Sequence, residues 1–211
     1  MKIGVLAVQG DFEAHGNMLE RLGVQPCFVR TAGDLAGLQG IILPGGESTT
    51  QWKFLQAEGL DRALCQSFAG GMVIFGTCAG AILLAKDVRN PTQASLGLLD
   101  VVLSRNGYGR QVDSEVRFGE SKLKPAPLEM VFIRAPIIER VGPDIIVLAR
   151  SEGQPVLIRQ GRILIATFHP ELTKEDTVHK YFVRLAGDHA ENQHRGSVVS
   201  STITAAQVEP R

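Results

Sequence analysis

Short apolar segments alternate with helix-forming stretches throughout the first half of the chain. Asp11, for example, can cap a helix whose apolar residues, among them Met18 and Leu19, recur at roughly helical spacing. Strands joined by helices predict βαβ units, because parallel strands need long crossover connections. The expected fold is therefore α/β, with a mostly parallel central sheet that is covered by helices on both faces. The predicted strands are residues 3–8, 26–30, 40–43 and 72–75.

The second half of the chain has a different pattern, in which short strands follow one another between glycines, prolines and polar residues. This pattern predicts antiparallel strands in addition to the parallel ones. A last helix is predicted for residues 174–186, and beyond Gly187 the chain becomes polar. We therefore expect one domain of residues 1–187 and a flexible tail of residues 188–211. The additional strands are predicted at residues 100–104, 112–118, 130–134, 145–150, 155–159 and 163–168.

The charge balance and the cysteine content exclude several classes of protein. With 22 Lys and Arg residues against 22 Asp and Glu residues, the formal net charge is zero, so we expect neither nucleic acid nor an anionic membrane as a partner. No apolar run approaches the length of a membrane span, and the N-terminal segment lacks the pattern of a signal peptide. Cys27, Cys65 and Cys78 form no C-x-x-C pair and fit neither a disulfide framework nor a zinc site. These features predict a reducing, cytoplasmic location.

Cys78 lies between a predicted buried strand and a helix predicted for residues 81–86. Gly76 and Gly80 flank it and allow a sharp turn with close packing of the helix on the strand. The N-terminus of that helix places a positive dipole end beside the sulfur, which favours the thiolate. Cys78 thus has the position of a nucleophile, although a small buried cysteine that fills the core is an equally good interpretation of this residue alone.

Glycine-containing loops follow two other predicted strands. Ligands of open α/β sheets bind at the carboxyl ends of the strands, so Gln9-Gly10 and residues 44–50 join the cysteine turn as candidate site loops. The Pro-Gly-Gly sequence of residues 44–50 exposes backbone N–H groups to an anion or an oxyanion, and Ser48 or Thr49 can cap the next helix. The Gly-Lys-Ser/Thr ending of a phosphate-binding loop is missing. Taken alone, this loop could equally be a tight turn without a function.

The strand predicted at residues 163–168 leads into His169-Pro170-Glu171. Residues i and i+2 of an extended segment point to the same side, so the imidazole and the carboxylate can project together. A cysteine nucleophile needs a base, and that base needs a group that fixes its tautomer. Cys78, His169 and Glu171 can supply these roles, and the joint pattern favours a catalytic site over a surface histidine beside an unrelated carboxylate. The other four histidines lack such a pattern and are predicted to be solvated: His15, His179, His189 and His194.

Five segments of the chain resemble a known enzyme family. Residues 44–48, 76–80 and 169–171 are similar to the class I glutamine amidotransferases, the Cys-His-Glu glutaminases. The full set resembles the glutaminase subunits of pyridoxal 5′-phosphate synthases, with a similarity from Ile3 to about residue 187. It implies the three-layer, flavodoxin-like fold of class I glutamine amidotransferases, with a mostly parallel sheet and additional antiparallel strands. The segments are PGGESTT at 44–50, FGTCAG at 75–80, RN with GRQVDS at 105–106 and 109–114, FIRAP at 132–136, and FHPEL at 168–172.

The resemblance implies hydrolysis of L-glutamine to L-glutamate and ammonia, without a metal or an organic cofactor. Cys78 would attack the carboxamide, His169 would protonate the departing ammonia and then activate water, and Glu171 would orient His169. The backbone N–H groups of Gly46 and Ala79 would form the oxyanion hole. The residues implied to line the glutamine pocket are Gly46, Glu47, Ser48, Arg105, Ile133 and Arg134.

The resemblance also implies a partner, the synthase subunit, to which the ammonia passes inside a hetero-oligomeric complex. That subunit builds pyridoxal 5′-phosphate, a form of vitamin B6, from a pentose phosphate and a triose phosphate. A free glutaminase subunit of this family is expected to be poorly active until its partner docks. Gln9-Gly10 matches the family segment near that interface, and we expect it to act as a switch.

Three alternatives stay open at this point. A glutaminase subunit of another amidotransferase pathway would share the triad, and a γ-glutamyl hydrolase would use similar chemistry on peptides or γ-glutamyl chains. Arg105 and Arg134 can pair with a carboxylate and favour free glutamine as the substrate. A scaffolding protein without activity is disfavoured, because it would not need all three triad residues.

Overall fold

The computed structural model describes residues 1–105 and 114–205. The strands of this part of the chain are β1 (Ile3–Leu6), β2 (Pro26–Val29), β3 (Gly40–Leu43), β4 (Val73–Thr77), β5 (Ala85–Arg89), β6 (Leu99–Ser104), β7 (Ser114–Ser121), β8 (Leu128–Ile133), β9 (Ile137–Val141), β10 (Ile146–Ser151), β11 (Gln154–Gln160) and β12 (Ile163–Ala166). The α-helices are α1 (Phe12–Arg21), α2 (Ser48–Ala57), α3 (Leu60–Ala69), α4 (Ala79–Leu84) and α5 (Thr177–Ala205). Short 3-10 helices cover Ala32–Leu35 and Pro170–Leu172.

Nine of the described strands form one large sheet in the order β2-β1-β3-β4-β12-β11-β10-β7-β8. The five strands from β2 to β12 in this order run parallel to one another. The next four pair in antiparallel fashion. A smaller sheet contains β5, β6 and β9. The predicted α/β fold, a parallel sheet with additional antiparallel strands, is confirmed.

Apolar side chains on both faces of the parallel strands hold two helical layers. Consecutive strand residues point to opposite faces, so Ile74 packs in a cluster with residues of α2, α3 and α4, and Phe75 packs in a cluster with residues of α1 and α5. The ring centroids of Phe75 and Phe182, on α5, lie 5.5 Å apart, and both side chains are fully buried. This burial on two faces explains why the parallel strands are continuous apolar runs.

The parallel arrangement brings four loops together at one edge of the sheet. β1, β3, β4 and β12 end there, and their registers pair Leu43 with Gly76 and Ala166 with Thr77. The segments that follow these strand ends contain Gln9, the Pro-Gly-Gly loop, Cys78 and His169. The candidate site loops predicted from the sequence are therefore neighbours in the fold.

Several predicted boundaries are wrong. The helix predicted at residues 81–86 is α4, which ends at Leu84 because Ala85 begins β5 and pairs with β6. β5 and β9, both in the smaller sheet, were not predicted. The last helix continues to Ala205 instead of ending at Ala186. The division at residue 187 stays a prediction, and residues 112–113 of a predicted strand lie outside the described residues.

Among the described helices, none combines the length and the apolar character that a membrane crossing requires.

Candidate active site

Cys78 is the single residue between β4 and α4. Its backbone has φ 46° and ψ −100°, a conformation that costs residues with a side chain on the order of 1–3 kcal/mol. Flanking glycines make this turn possible. A Cβ on Gly76 would lie 2.7 Å from the backbone of Gly80, and a Cβ on Gly80 would lie 1.9 Å from the carbonyl oxygen of Leu43. The predicted strand-to-helix turn is confirmed, with the thiol at the start of the helix.

The three predicted triad residues lie together. His169 Nδ1 and Glu171 Oε1 are 2.8 Å apart, and the side chains of Cys78 and His169 line the same cavity. All three residues are buried. The backbone N–H of His169 donates to the carbonyl oxygen of Val131 at 2.7 Å, so β8 holds the histidine in place from the antiparallel side of the sheet.

The electrostatics of the triad favour an ion pair. Burial opposes the charged form of His169, but the interactions with the neighbouring Asp11, Cys78 and Glu171 outweigh it and raise the pKa of His169 well above its usual value. Burial also opposes ionisation of Glu171, but the attraction and the hydrogen bonds of His15 and His169 hold the pKa of that carboxyl well below its usual range. A protonated imidazole beside an ionised carboxylate is the state that accompanies a cysteine thiolate.

Asp11 is a site residue that the sequence reasoning placed only as a helix cap. Its side chain makes no capping hydrogen bond to α1, and Oδ2 instead lies 3.5 Å from His169 Nδ1. Its position directly after the Gln9-Gly10 loop could have indicated that Asp11 belongs to the site. Donor atoms of Asp11, His169 and Glu171 lie within 4.8 Å of one another, as they would around a metal ion. Both carboxylates approach the same ring nitrogen, His169 Nδ1, at 2.8 Å for Glu171 and 3.5 Å for Asp11, and these contacts account for the closeness of the three groups.

The Pro-Gly-Gly loop and the Gln9-Gly10 loop contact each other closely. The Gly45 carbonyl accepts a 3.1 Å hydrogen bond from the backbone N–H of Asp11, and a Cβ on Gly10 would lie 1.8 Å from that carbonyl oxygen. Gly46 has φ 151°, in the range that favours glycine, and the next N–H, of Glu47, donates to Gln9 Oε1 at 2.9 Å. The close contact between the two loops and their backbone conformation thus require glycine at Gly10 and Gly46.

A buried side chain that the sequence reasoning missed ties these loops to α2. Gln51 is fully buried, and its Nε2 donates to the carbonyl oxygens of Gln9 at 2.9 Å and Pro44 at 3.2 Å. The position of Gln51 at the start of α2, directly after the Pro-Gly-Gly loop, is the sequence feature that could have predicted this contact.

The cap of α2 differs from the prediction. Glu47, not Ser48 or Thr49, is the N-cap residue, and its carboxylate accepts from the backbone N–H groups of Thr49 and Thr50. The same carboxylate lies 3.2 Å from Arg105 Nη2. Partial burial opposes ionisation of Glu47, but the hydrogen bonds of the two threonines lower its pKa to about 2. Glu47 is therefore a fixed negative charge at the site.

A cavity of about 380 Å³ opens beside the sulfur of Cys78. It is smaller than a cavity of about 840 Å³ at the other end of the parallel strands, but the described lining of that larger space has no titratable side chain. Glu171 lies behind His169 and does not belong to the lining. Of the predicted residues, the cavity brings together Gln9, Gly46, Glu47, Ser48, Cys78, Ala79, Arg105, Ile133, Arg134 and His169.

Two of the four remaining histidines are not solvated, so that prediction is wrong for them. His15 and His179 are fully buried, with His15 Nδ1 2.9 Å from His179 Nε2. His15 lies on the face of α1 that contains Met18 and Leu19, which is the spacing of core residues. That spacing was a signal for burial. His189 is half-buried beside Arg162, and the side chain of His194 lies outside the described part.

A cysteine at a strand-to-helix turn, a His-Glu pair after the parallel strand on one side of it and a glycine-rich loop after the parallel strand on the other side define a glutamine amidotransferase of class I. The chain belongs to the SNO glutamine amidotransferase family, whose family model matches residues 5–187.

Relatives and solved structures agree with this membership. The chain is 50% identical over 185 residues to the pyridoxal 5′-phosphate synthase subunit PdxT of Koribacter versatilis, covering 88% of this chain and 95% of the relative. It is 52% identical over 188 residues to the protein of the same name from Solibacter usitatus, covering 86% and 97%. A crystal structure of a glutamine amidotransferase matches with a TM-score of 0.83 at 45% identity, covering 88% and 98%. PurLQS from Thermotoga maritima, at 18% identity, a TM-score of 0.63 and coverage of 87% and 97%, shares the fold.

Proposed function

We propose that this chain is the glutaminase subunit of a pyridoxal 5′-phosphate synthase. It hydrolyses L-glutamine to L-glutamate and ammonia and delivers the ammonia to a synthase subunit. The observation that carries the proposal is the buried Cys78, His169 and Glu171 constellation at a cavity whose wall contains Arg105 and Arg134. The names of the relatives support the pathway.

In the first half of the reaction, the Cys78 thiolate attacks the side-chain carboxamide carbon of glutamine. The backbone N–H groups of Gly46 and Ala79 receive the negative charge that develops on the carboxamide oxygen. One such donor typically contributes about 2.7–4 kcal/mol to the stabilisation of the transition state. His169 then gives its proton to the departing nitrogen, so that ammonia leaves and a γ-glutamyl thioester forms.

In the second half, His169 has lost its proton and can act as a base. It takes a proton from a water molecule, which attacks the thioester carbon and releases glutamate and the Cys78 sulfur. Glu171 keeps the Nδ1 side of the imidazole occupied, so that the other nitrogen faces the sulfur in both halves. The groups that these steps use are the three triad side chains, two backbone N–H groups and a water molecule.

Free glutamine has a carboxylate and an ammonium group, and the cavity wall offers both complementary charges. Glu47 stays ionised near neutral pH and can face the ammonium group. Arg105, which lies against Glu47, and Arg134, whose backbone has φ 43°, are the candidates for the carboxylate. Substitution of each arginine by Gln should identify the one in contact, because that variant should raise KM more than it lowers kcat.

The contact between Gln9-Gly10 and the Pro-Gly-Gly loop supports a gate at the partner interface. Gln9 Oε1 accepts the N–H of Glu47, the residue after the oxyanion donor Gly46. A partner that displaces Gln9 would therefore change the geometry of the oxyanion hole. If Gln9→Ala leaves the stimulation by the synthase subunit unchanged, Gln9 is not the gate.

The test of glutaminase activity is release of ammonia and glutamate from L-glutamine by the purified chain, with and without a synthase subunit. We expect turnover that rises with the partner and disappears in Cys78→Ala. A γ-glutamyl peptide in a parallel assay distinguishes a hydrolase of γ-glutamyl chains. Absence of turnover while the partner binds would overturn the proposal. The cytoplasmic location stays a prediction, with which three free cysteines agree.

A further inference from the structure

A buried hydrogen-bond network lies directly behind the triad, and its centre is His15. His15 Nε2 lies 3.4 Å from Glu171 Oε1 and 3.1 Å from Thr77 Oγ1, while Nδ1 lies 2.9 Å from His179 Nε2. Both histidines and Thr77 are fully buried, and the Glu171 side chain has no exposure to solvent. Two buried atoms of this network, Glu171 Oε2 and His179 Nδ1, have no hydrogen-bond partner. Buried polar groups that are left partly unsatisfied are rare and call for an explanation, which is often a functional one. The proposed reaction assigns no role to either of these two histidines.

One oxygen of Glu171 lies between two imidazoles. Oε1 is 2.8 Å from His169 Nδ1 and 3.4 Å from His15 Nε2. An ionised carboxylate only accepts hydrogen bonds, so Nε2 of His15 carries a hydrogen in either protonation state of the ring. His15 Nε2 thus lies within ion-pair distance of the oxygen that orients the catalytic histidine, while its shorter contact, at 3.1 Å, is the hydrogen bond with Thr77 Oγ1. The buried contact with His179 fixes the other ring nitrogen and hence the plane of the ring.

A second link leads from His15 to the loop that carries the oxyanion donor. Thr77 Oγ1 accepts the backbone N–H of Gly45 at 3.0 Å. Thr77 is the last residue of β4, directly before Cys78, and Gly45 directly precedes Gly46. A single imidazole thus contacts the carboxylate behind the base and the hydroxyl that holds the Pro-Gly-Gly loop.

We propose that His15 is a positioning residue for the glutaminase reaction, acting through Glu171 on His169 and through Thr77 on the Gly45 amide. The inference rests on the proposed function. His15 is not among the described residues that line the cavity, so it does not contact the substrate. Its loss should therefore change the chemical steps and not the binding of glutamine.

Two substitutions of His15 distinguish the roles of its two ring nitrogens. The side-chain nitrogen of Gln can take the place of histidine Nε2, and the amide of Asn can reach only the place of Nδ1. In the assembled complex, we expect His15→Asn to lower kcat by about 100-fold with KM for glutamine unchanged, the cost of a displaced catalytic group. His15→Gln should restore most of kcat. His189→Asn, on a half-buried histidine outside the network, is the matched control and should leave kcat unchanged.

A readout that does not need turnover keeps this inference separate from the proposed function. The alkylation rate of Cys78 by iodoacetamide, followed by peptide mass spectrometry to distinguish Cys27 and Cys65, reports the thiolate that His169 maintains. It should fall in His15→Asn and recover in His15→Gln, even if the wild-type chain hydrolyses no glutamine. The inference would be overturned if the Asn and Gln variants had equal kcat values and equal alkylation rates, and if both quantities fell only in proportion to the melting temperature. His15 would then have a merely structural role.

If His15→Asn fails to fold, the Thr77→Val variant tests the same network, and Thr77→Ser is the control that retains the hydroxyl group. Loss of kcat in Thr77→Val at unchanged KM, with recovery in Thr77→Ser, supports the network. Full kcat in Thr77→Val overturns it.

Discussion

His169 has two carboxylates on its Nδ1 side, and they are not equivalent. Glu171 lies 2.8 Å from Nδ1 and is fully buried, whereas Asp11 lies 3.5 Å away with 42% of its side chain exposed. Hydrogen bonds weaken with distance, and solvent screens exposed charges. Glu171 is therefore the group that orients the imidazole, and Asp11 adds a weaker attraction at the mouth of the site.

Substitution of each carboxylate by its amide should show this difference. We expect Glu171→Gln to lower kcat by up to about 10⁴-fold, the size of effect known for the same change behind a serine-protease histidine. Asp11→Asn should lower it much less, because the neighbouring carboxylate still fixes the tautomer. Steady-state kinetics with the synthase subunit present measure both. Equal losses in the two variants would contradict the assignment of roles.

The pH dependence of stability should reveal the buried carboxylate. The pKa of Glu171 in the folded chain is lowered, so its contribution to stability is complete above the unfolded value of about 4.3 and is lost as pH falls toward the folded value. The unfolding free energy of the wild type should therefore fall below about pH 4.3 more steeply than that of Glu171→Gln, by up to about 1.4 kcal/mol per pH unit. Urea unfolding at several pH values measures the difference, and identical slopes would refute it.

Residues that form a local pattern were predicted from the sequence, and residues whose partners are distant in the chain were missed. Cys78 has its glycines beside it, and His169 has Glu171 two residues away. Asp11 and His15 acquire their roles only when α1 packs beside the end of β12. Sequence adjacency cannot show such contacts, because folding creates them.

At the scale of elements, the turn between β4 and α4 decides the position of the nucleophile. The helix approaches β3 so closely that Gly80 contacts the backbone at Leu43. A backbone oxygen cannot move away as a flexible side chain can, so this contact leaves no room for a side chain.

Gly80→Ala should therefore be strongly destabilising, at about 1–3 kcal/mol or more, and should displace Cys78. Gly33→Ala is the control, since a Cβ there would meet its nearest atom at 3.8 Å. Differential scanning calorimetry and Cys78 alkylation test both effects. A Gly80→Ala variant with wild-type melting temperature and thiol reactivity would contradict this account of the turn.

The parallel strands were predictable as elements because burial on both faces makes them continuous apolar runs. β5 was not predictable from the sequence, because Lys86 and Asp87 interrupt its apolar pattern and its strand conformation depends on pairing with β6. The extent of α5 was missed because the polar composition after Gly187 has no strong apolar periodicity. Local sequence patterns thus did not predict the strand that depends on tertiary pairing or the continuation of the last helix.

At the scale of the whole molecule, the site lies where the parallel and antiparallel parts of the sheet meet. The parallel strands position the nucleophile, the Pro-Gly-Gly loop and the base. The antiparallel part contributes β8, whose Val131 holds the His169 backbone and whose Ile133 carbonyl lies 3.8 Å from the Cys78 sulfur. One sheet thus contributes to both sides of the cavity, and in the proposed gate the partner would act on the two touching glycine loops.

The central claim is that glutamine hydrolysis at Cys78 supplies ammonia to a synthase subunit. The most direct test is pyridoxal 5′-phosphate formation by the complex from a pentose phosphate and a triose phosphate, with either L-glutamine or an ammonium salt as the nitrogen source. We predict that the wild-type complex uses both, and that the complex with Cys78→Ala uses the ammonium salt but not glutamine. Product formation from glutamine at the wild-type rate by the Cys78→Ala complex would contradict the claim.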